Sequence, residues 1–166
     1  MNPRNHLWRA AMSATAWVIW PSRLRVALLR GLGVSIGRGT VIADGVFIGS
    51  PQVRIGERAM IGMRCFLDGS APLEICDEVT LGPFCRVITG THRIQLGPNR
   101  RGIDQTLSKP VRIGFGSWLG AGVMLVCASV GDSSVVGAGT VVDRDVGANE
   151  LAKGARVTKT VPLRTT

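Results

Sequence analysis

A branched aliphatic residue recurs at positions 36, 42, 48, 55, 61, 67, 75, 81, 87, 113, 119, 125, 130, 136 and 142. Ten of the fourteen intervals are six residues long; the other four are 7, 8, 26 and 5. Neither a helix nor a simple strand has a period of six, so the pattern predicts a repeat architecture. Each exception follows a third repeat. The chain therefore counts in threes, and all its irregularities fall at one recurring corner. Three sides make a coil, and about five coils stack into a prism. The aliphatics point inward onto their equivalents above and below, and adjacent coils pair as parallel strands ~4.8 Å apart. Nine of the fifteen aliphatics are followed at once by glycine: Gly37, Gly49, Gly56, Gly62, Gly82, Gly114, Gly120, Gly131 and Gly137. The pattern assigns these glycines to the sharp turns between sides.

Residues 5–30 break the beat. Leu7, Trp8, Ala11, Met12 and Ala16 predict one helix ending near Pro21. Leu24, Leu28 and Leu29 predict a second, closed by Gly31. A helical cap over the open end of the prism suits them, because an end coil otherwise exposes its apolar interior. Arg4 and Arg9 before the apolar stretch Ala10–Trp20 have the outline of a signal peptide. The stretch is too short to span a bilayer, and no small-x-small cleavage site follows it. Peripheral membrane contact through Trp8, Trp17 and Trp20 is the alternative to a simple cap. The expected organisation is a cap over 1–34, the prism over 35–148 with a loop inserted at 90–110, and a C-terminal tail over 149–166.

Composition fits one domain: 166 residues, 45% of them hydrophobic. Aromatics are only 5% with no tyrosine, which suits a narrow interior filled by Ile, Val and Leu. The net charge of +9 comes from 17 Arg and 3 Lys against 11 acids. It reads either as a solvated basic surface or as attraction for a polyanion. No basic cluster is interleaved with aromatics, so no nucleic-acid partner is expected. Cys65, Cys76, Cys85 and Cys127 lack C-x-x-C spacing. Cys65, Cys76 and Cys85 lie within the repeats and are expected to pack as small apolar residues, Cys127 at the irregular corner is expected to be more accessible, and neither a disulfide framework nor a zinc site is expected. Reduced thiols point to the cytoplasm.

The 26-residue interval from Val87 to Ile113 is where function is expected, since loops on rigid scaffolds carry it. It holds Thr89-Gly90-Thr91-His92-Arg93 and a polar run to Lys109-Pro110. A histidine in a polar loop is by itself most often solvated or structural. A neutral imidazole there also suits proton abstraction near pH 7. Asp68 follows Leu67 and lies one coil beneath Ile88, near the root of the loop. It reads either as a ligand or orienting group, or as a cap on the turn Gly69-Ser70-Ala71-Pro72. Trp118 is a large aromatic in a wall of small residues and is expected to project outward.

Val111 to Gly122 (VRIGFGSWLGAG) and Val135 to Val146 (VVGAGTVVDRDV) resemble the hexapeptide-repeat acyltransferases. The resemblance covers roughly residues 30–160. It implies an all-β fold, a left-handed parallel β-helix, assembled as a homotrimer with acetyl-CoA bound between subunits and no metal. The helical front end, Phe66-Leu67-Asp68 and Thr89-Gly90-Thr91-His92 most resemble sugar and exopolysaccharide O-acetyltransferases. The implied roles are His92 as general base and Asp68, Trp118 and Arg93 at the acceptor. Gly120, Ala121, Gly137, Ala138, Asp143, Arg156 and Lys159 are implied at CoA, with Gly120 and Ala121 offering backbone N–H groups near the thioester. Two segments depart from the family pattern. The side Leu125 to Ser129 is one residue short, and the turn after the last coil reads Leu151-Ala152-Lys153-Gly154-Ala155. The short side predicts a reshaped cleft.

The implied activity is transfer of an acetyl group from acetyl-CoA to a hydroxyl or amine of a sugar or sugar-bearing metabolite. A natural-product or antibiotic acyltransferase, with a non-sugar acceptor or a longer acyl donor, would look the same in sequence. A γ-carbonic-anhydrase-type metal site needs three histidine ligands, and the chain has only His6 and His92. A non-catalytic scaffold has no need of a long loop opening with histidine.

Overall fold

The computed structural model describes residues 3–15, 21–94, 101–154 and 160–162. The beat becomes a parallel β-helix, and all fifteen aliphatics are buried, none above 8% exposure. Coil one holds β1 (Ser35–Ile36), β2 (Val41–Ile42) and β3 (Phe47–Ile48). Coil two holds β4 (Val53–Ile55), β5 (Met60–Ile61) and β6 (Phe66–Leu67). Coil three holds β7 (Leu73–Ile75), β8 (Thr80–Leu81) and β9 (Arg86–Ile88). A hairpin of β10 (Gly90–Ile94) and β11 (Arg101–Ser108) then intervenes. Coil four holds β12 (Val111–Ile113), β13 (Trp118–Leu119) and β14 (Met124–Val126). Coil five has β15 (Val135–Val136) and β16 (Val141–Val142), preceded by Val130 as an isolated bridge.

Three sheets result. The first runs β1-β4-β7-β12, and the third runs β3-β6-β9-β14-β16. The middle sheet runs from β2 through β5, β8, β13 and β15 to β17 (Glu150–Ala152) and β18 (Thr160–Pro162). The corner from the third sheet back to the first is the wide one, and it absorbs every irregular interval. It carries extra inward residues, Val34, Val53, Leu73, Val111 and Ala128, each buried two positions before an aliphatic of the beat. Cys127 takes φ +51 there, which lets the short side turn early. The cysteines are all free, with Cys65 and Cys85 buried and Cys76 and Cys127 half-buried.

The glycines that follow the aliphatics do not make the turns. The left-handed residue comes two positions later, as at Arg58 (φ 52), Phe84 (φ 62) and Gly122 (φ +70). What excludes a side chain at Gly37 or Gly49 is the coil above. A Cβ at Gly37 would meet the backbone of Gly56 and Glu57, and one at Gly49 would meet the carbonyl of Asp68, both well inside contact distance.

The helix also continues beyond residue 148. Val146 bridges Val130, Ala152 is fully buried, and β17 pairs parallel to β15. The segment read as a tail thus starts a sixth turn, and β18 pairs antiparallel along its open edge. An interval of four residues, Val142 to Val146, hides it from the six-residue count. β18 is thereby the last strand of that sheet.

At the opposite end lie α1 (Pro3–Thr15) and α2 (Ser22–Gly31). Their inner faces bury Met12, Val26 and Leu29 against the prism. Coil one has no coil beneath it, so its strand carbonyls need other donors. One side chain of the cap serves each sheet. Arg30 Nε donates to Ile36 O (3.0 Å), Arg25 Nη1 to Ile42 O (2.9 Å), and Trp8 Nε1 to Ile48 O (2.9 Å). Arg25 is 2% exposed and also donates through Nε to Thr15 O. Arg25→Leu, which keeps much of the volume but strands two carbonyls, is expected to cost about 2–4 kcal/mol in urea unfolding. Arg38→Ala, on the exposed surface nearby, is expected to stay within about 0.5 kcal/mol of wild type.

Candidate functional site

The long insertion is an antiparallel β-hairpin, not an irregular loop. Gly90 pairs with Ser108, Thr91 with Leu107 and His92 with Thr106. The register shifts between His92 and Ile94, a bulge that alters how this strand presents its side chains. His92 and Arg93 are both exposed.

The hairpin leaves the wide corner between coils three and four, and Thr89 anchors its root. Thr89 is fully buried. Its hydroxyl donates to Asp68 Oδ2 (2.9 Å) and accepts from Ala71 N (3.0 Å). Its backbone N–H donates to Asp68 Oδ2 (3.1 Å), and its carbonyl accepts from Lys109 N (2.9 Å), closing the two arms. Asp68 also accepts from Ser70 Oγ at 2.9 Å. Register places Asp68 at the root, and the structure agrees with that placement. Its carboxylate serves both the turn and the hairpin. Asp68 thus contacts the strand that carries His92 at its first residues, through Thr89. In the sequence Thr89 stands out only as part of the run to His92; its burial between a carboxylate and two arms of chain is a tertiary fact.

Farther along the exit arm, Lys109 Nζ lies 3.0 Å from Asp145 Oδ1. Asp145 also accepts from Ser129 N at 2.8 Å, tying the hairpin exit to the short corner. These bonds, the Ser129 N–H first and the Lys109 ammonium second, hold the Asp145 carboxyl below its ordinary range.

Thr89→Val removes the hydroxyl at nearly constant volume and leaves the Ala71 N–H without its acceptor. The expected result is a loss of about 1–3 kcal/mol in stability. A shift of the hairpin is also expected to reduce kcat about 10²-fold with a smaller effect on KM. Thr89→Ser keeps the hydroxyl and is expected to restore most of both. Equal kcat values in the Val and wild-type proteins would show that the anchor does not position the site.

The other candidates lie on a different edge. Trp118 projects outward from the middle sheet, 55% exposed, between Thr80 and Val135. Gly120, Ala121, Gly137 and Ala138 form the corner between the middle and third sheets. Gly120 N donates to Val136 O and Gly137 N to Ala152 O, both at 2.8 Å, so neither N–H is open to a ligand. That corrects the expectation that Gly120 offers an N–H near a thioester. Ala121 and Ala138 differ, since among the described residues no hydrogen bond is made by their N–H groups. At the corner between the first and middle sheets the corresponding N–H groups are capped by carboxylates. Asp77 accepts from Glu57 N (2.7 Å) and Asp132 from Phe115 N (2.9 Å). The alanine edge has no such cap and is lined by small residues.

Asp143 sits at the wide corner of coil five, 3.6 Å from Arg144 Nε, and so shares the hairpin's edge. Arg156 and Lys159 lie outside the described residues. A groove of about 590 Å³ runs along the first sheet beside the hairpin root, lined by Gln52, Arg54, Glu74, Arg112 and Ser129 among others. The sequence does not single it out. Those polar residues face outward by strand alternation and are scattered over three coils and a corner. Among the described residues no group of three or more His, Cys, Asp or Glu is placed to hold a metal ion. Within one chain, then, Asp68, Thr89 and the His92 hairpin share one edge, and Trp118 and the open N–H groups belong to another.

Residues 52–82 and 110–144 match the family described as the hexapeptide repeat of succinyl-transferase. A galactoside O-acetyltransferase of Lactococcus lactis is 28% identical over 133 residues, 78% of this chain and 63% of that protein. A Schizosaccharomyces pombe relative, provisionally named an acetyltransferase, is 33% identical over 105 residues, 63% of this chain and 50% of its own length. The chain thus spans about half the length of the curated relatives it matches, 44–63% for the first three. Among solved structures, a hexapeptide-repeat acetyltransferase of Vibrio cholerae complexed with acetyl coenzyme A superposes with a TM-score of 0.80. It is 29% identical, and the match covers 97% of this chain and 86% of that one. A maltose O-acetyltransferase from Clostridium difficile 630 gives a TM-score of 0.79 at 25% identity, covering 90% and 81%.

Proposed function

We propose that this chain, whose residues 52–82 and 110–144 match the hexapeptide-repeat model, transfers an acetyl group from acetyl-CoA to a hydroxyl or amine of a sugar or sugar-bearing acceptor. The observation that carries the reading is the likeness, over 97% of the chain, to an acetyltransferase whose structure contains acetyl-CoA. The likeness to galactoside and maltose O-acetyltransferases supports the acceptor class.

In this mechanism the His92 imidazole takes the proton from the acceptor O–H or N–H as its heteroatom attacks the thioester carbonyl. The developing oxyanion needs a preplaced donor, and the N–H of Ala121 is suited to supply it. Collapse breaks the C–S bond, and the CoA thiolate takes the proton back from the imidazolium. No acyl-enzyme is needed, because the thioester is already activated. Arg93 and the polar groove beside the hairpin root are suited to hold acceptor hydroxyls. Trp118 offers an apolar wall to the pantetheine arm. Asp143, Arg156 and Lys159 keep their assignments toward CoA as part of this proposal.

The two edges suggest how the parts meet. The hairpin leaves the wide corner and the alanines lie at another, so a site that unites them draws on two protomers. A homotrimer would set His92 of one protomer against Trp118 and Ala121 of the next. Thiol release from acetyl-CoA with a panel of sugars and amines tests the activity. Co-expressing His92→Ala with Ala121→Trp chains tests the arrangement. Each variant alone is expected to be inactive, and mixed trimers are expected to regain activity at the sites that combine two intact edges. Wild-type protein that releases no thiol with any acceptor would count against the enzyme. Active wild type without rescue in mixtures would place the site within one chain.

A further inference from the structure

The helical cap is apolar on both faces, and only one face is used by the prism. Met12, Val26 and Leu29 point inward and are buried. On the outside, Leu7 is 74% exposed, Leu24 40%, Leu28 39% and Leu32 37%. Leu24, Leu28 and Leu32 follow at four-residue steps, a ridge along α2 and its end; Leu7 and Ala11 do the same on α1. Between the helices lies a shallow hollow of about 500 Å³ whose lining includes Ala11, Ala27, Leu28 and Leu32. A solvated cap helix needs a polar outer face, so a leucine ridge there calls for a partner.

Charge selects the partner. Residues 1–43 contain six arginines and no acid; Asp44 is the first carboxylate in the chain. Arg25 is buried and does not contribute to the surface. Arg23, Arg30 and Arg38 are exposed at this end, with Arg30 held by the carbonyls of Ile36 and Gly37. A second copy docked cap to cap would set these cations against their like, which costs binding energy. An anionic lipid surface matches both the leucines and the arginines. No described helix is long and apolar enough to cross a membrane.

We infer that the outer face of the cap docks on an anionic lipid bilayer. The prism then stands end-on, with the hairpin edge and the alanine edge along its sides and open to substrates. This inference does not depend on the acyl-transfer reading.

Flotation of the full chain with phosphatidylcholine vesicles, with and without phosphatidylglycerol, tests it. The protein is expected to float with the anionic vesicles at low salt, to be released by high salt, and to stay behind with pure phosphatidylcholine. Leu24→Asp with Leu28→Asp is expected to lower the partition coefficient about tenfold or more. Arg23→Gln is expected to lower it roughly fivefold. All three positions are exposed, and an unchanged circular dichroism melt verifies the fold. No flotation with anionic vesicles, or equal flotation of wild type and the double leucine variant, would overturn the inference. So would equal binding to both vesicle types, or a doubled molar mass that the leucine variant abolishes in the absence of flotation.

Discussion

His92→Ala is expected to lower kcat for acetyl transfer about 10²- to 10⁴-fold, the usual worth of a positioned general base. Folding should be unaffected, because His92 is exposed on the hairpin and its change removes no core contact. Stability within about 0.5 kcal/mol of wild type is therefore expected. The readout is initial thiol release at saturating acetyl-CoA, with KM for the donor little changed. Undiminished turnover in His92→Ala would remove the general-base role while leaving the fold and the donor assignment intact. Thr89→Val offers the contrast. It leaves the imidazole in place and moves the strand that carries it, so the loss should be rescued by serine.

The second large effect is structural. Gly49→Ala is expected to destabilise the protein by about 3 kcal/mol, as overpacking against backbone does when nothing flexible can give way. The new methyl would strike the carbonyl oxygen of Asp68, whose side chain holds Thr89 and the hairpin root. A loss of turnover beyond the loss of folded protein should accompany it. Gly139→Ala is the internal control. Gly139 has φ +70 but nothing within 4 Å of an added methyl, so only backbone strain of about 1 kcal/mol is expected. Urea midpoints for the two variants separate close approach from left-handed strain. Equal midpoints would mean that the coils do not pack at Gly49 as closely as described.

The six-residue beat is sufficient to read the coil size, the stack and the inward set. A residue that recurs at one corner of every coil must be buried between its own copies. Asp68 is also placed correctly, because register in a solenoid follows from counting. The insertion is legible as functional but not as a hairpin: its strands pair with each other, and the beat describes only pairing between coils. The pattern assigns the glycines after the aliphatics to turns, yet their cause is the coil above, which is invisible in a local pattern. The sixth turn escapes the count for a related reason. Its corner takes four residues, and Ala152 is too small to register as part of an aliphatic beat.

The cap shows the same division. Leu7, Leu24 and Leu28 serve to predict helices, but the residues that close the prism are Trp8, Arg25 and Arg30. Each reaches a different carbonyl of coil one. A buried arginine bound to carbonyls is read from sequence as a surface charge, because only the end of the stack creates the unfilled acceptors.

By itself the sequence determined the repeat, its division into threes, the corner where counting fails and the histidine at that corner. These depend on residue spacing along one chain, and spacing is a property of sequence. Tertiary structure decided which N–H groups remain open, how Thr89 and Asp68 anchor the hairpin, and that His92 and the alanine edge lie on separate edges of one prism. Those facts depend on which atoms meet across coils, where hydrogen bonds over ~3 Å decide what is engaged and what is free.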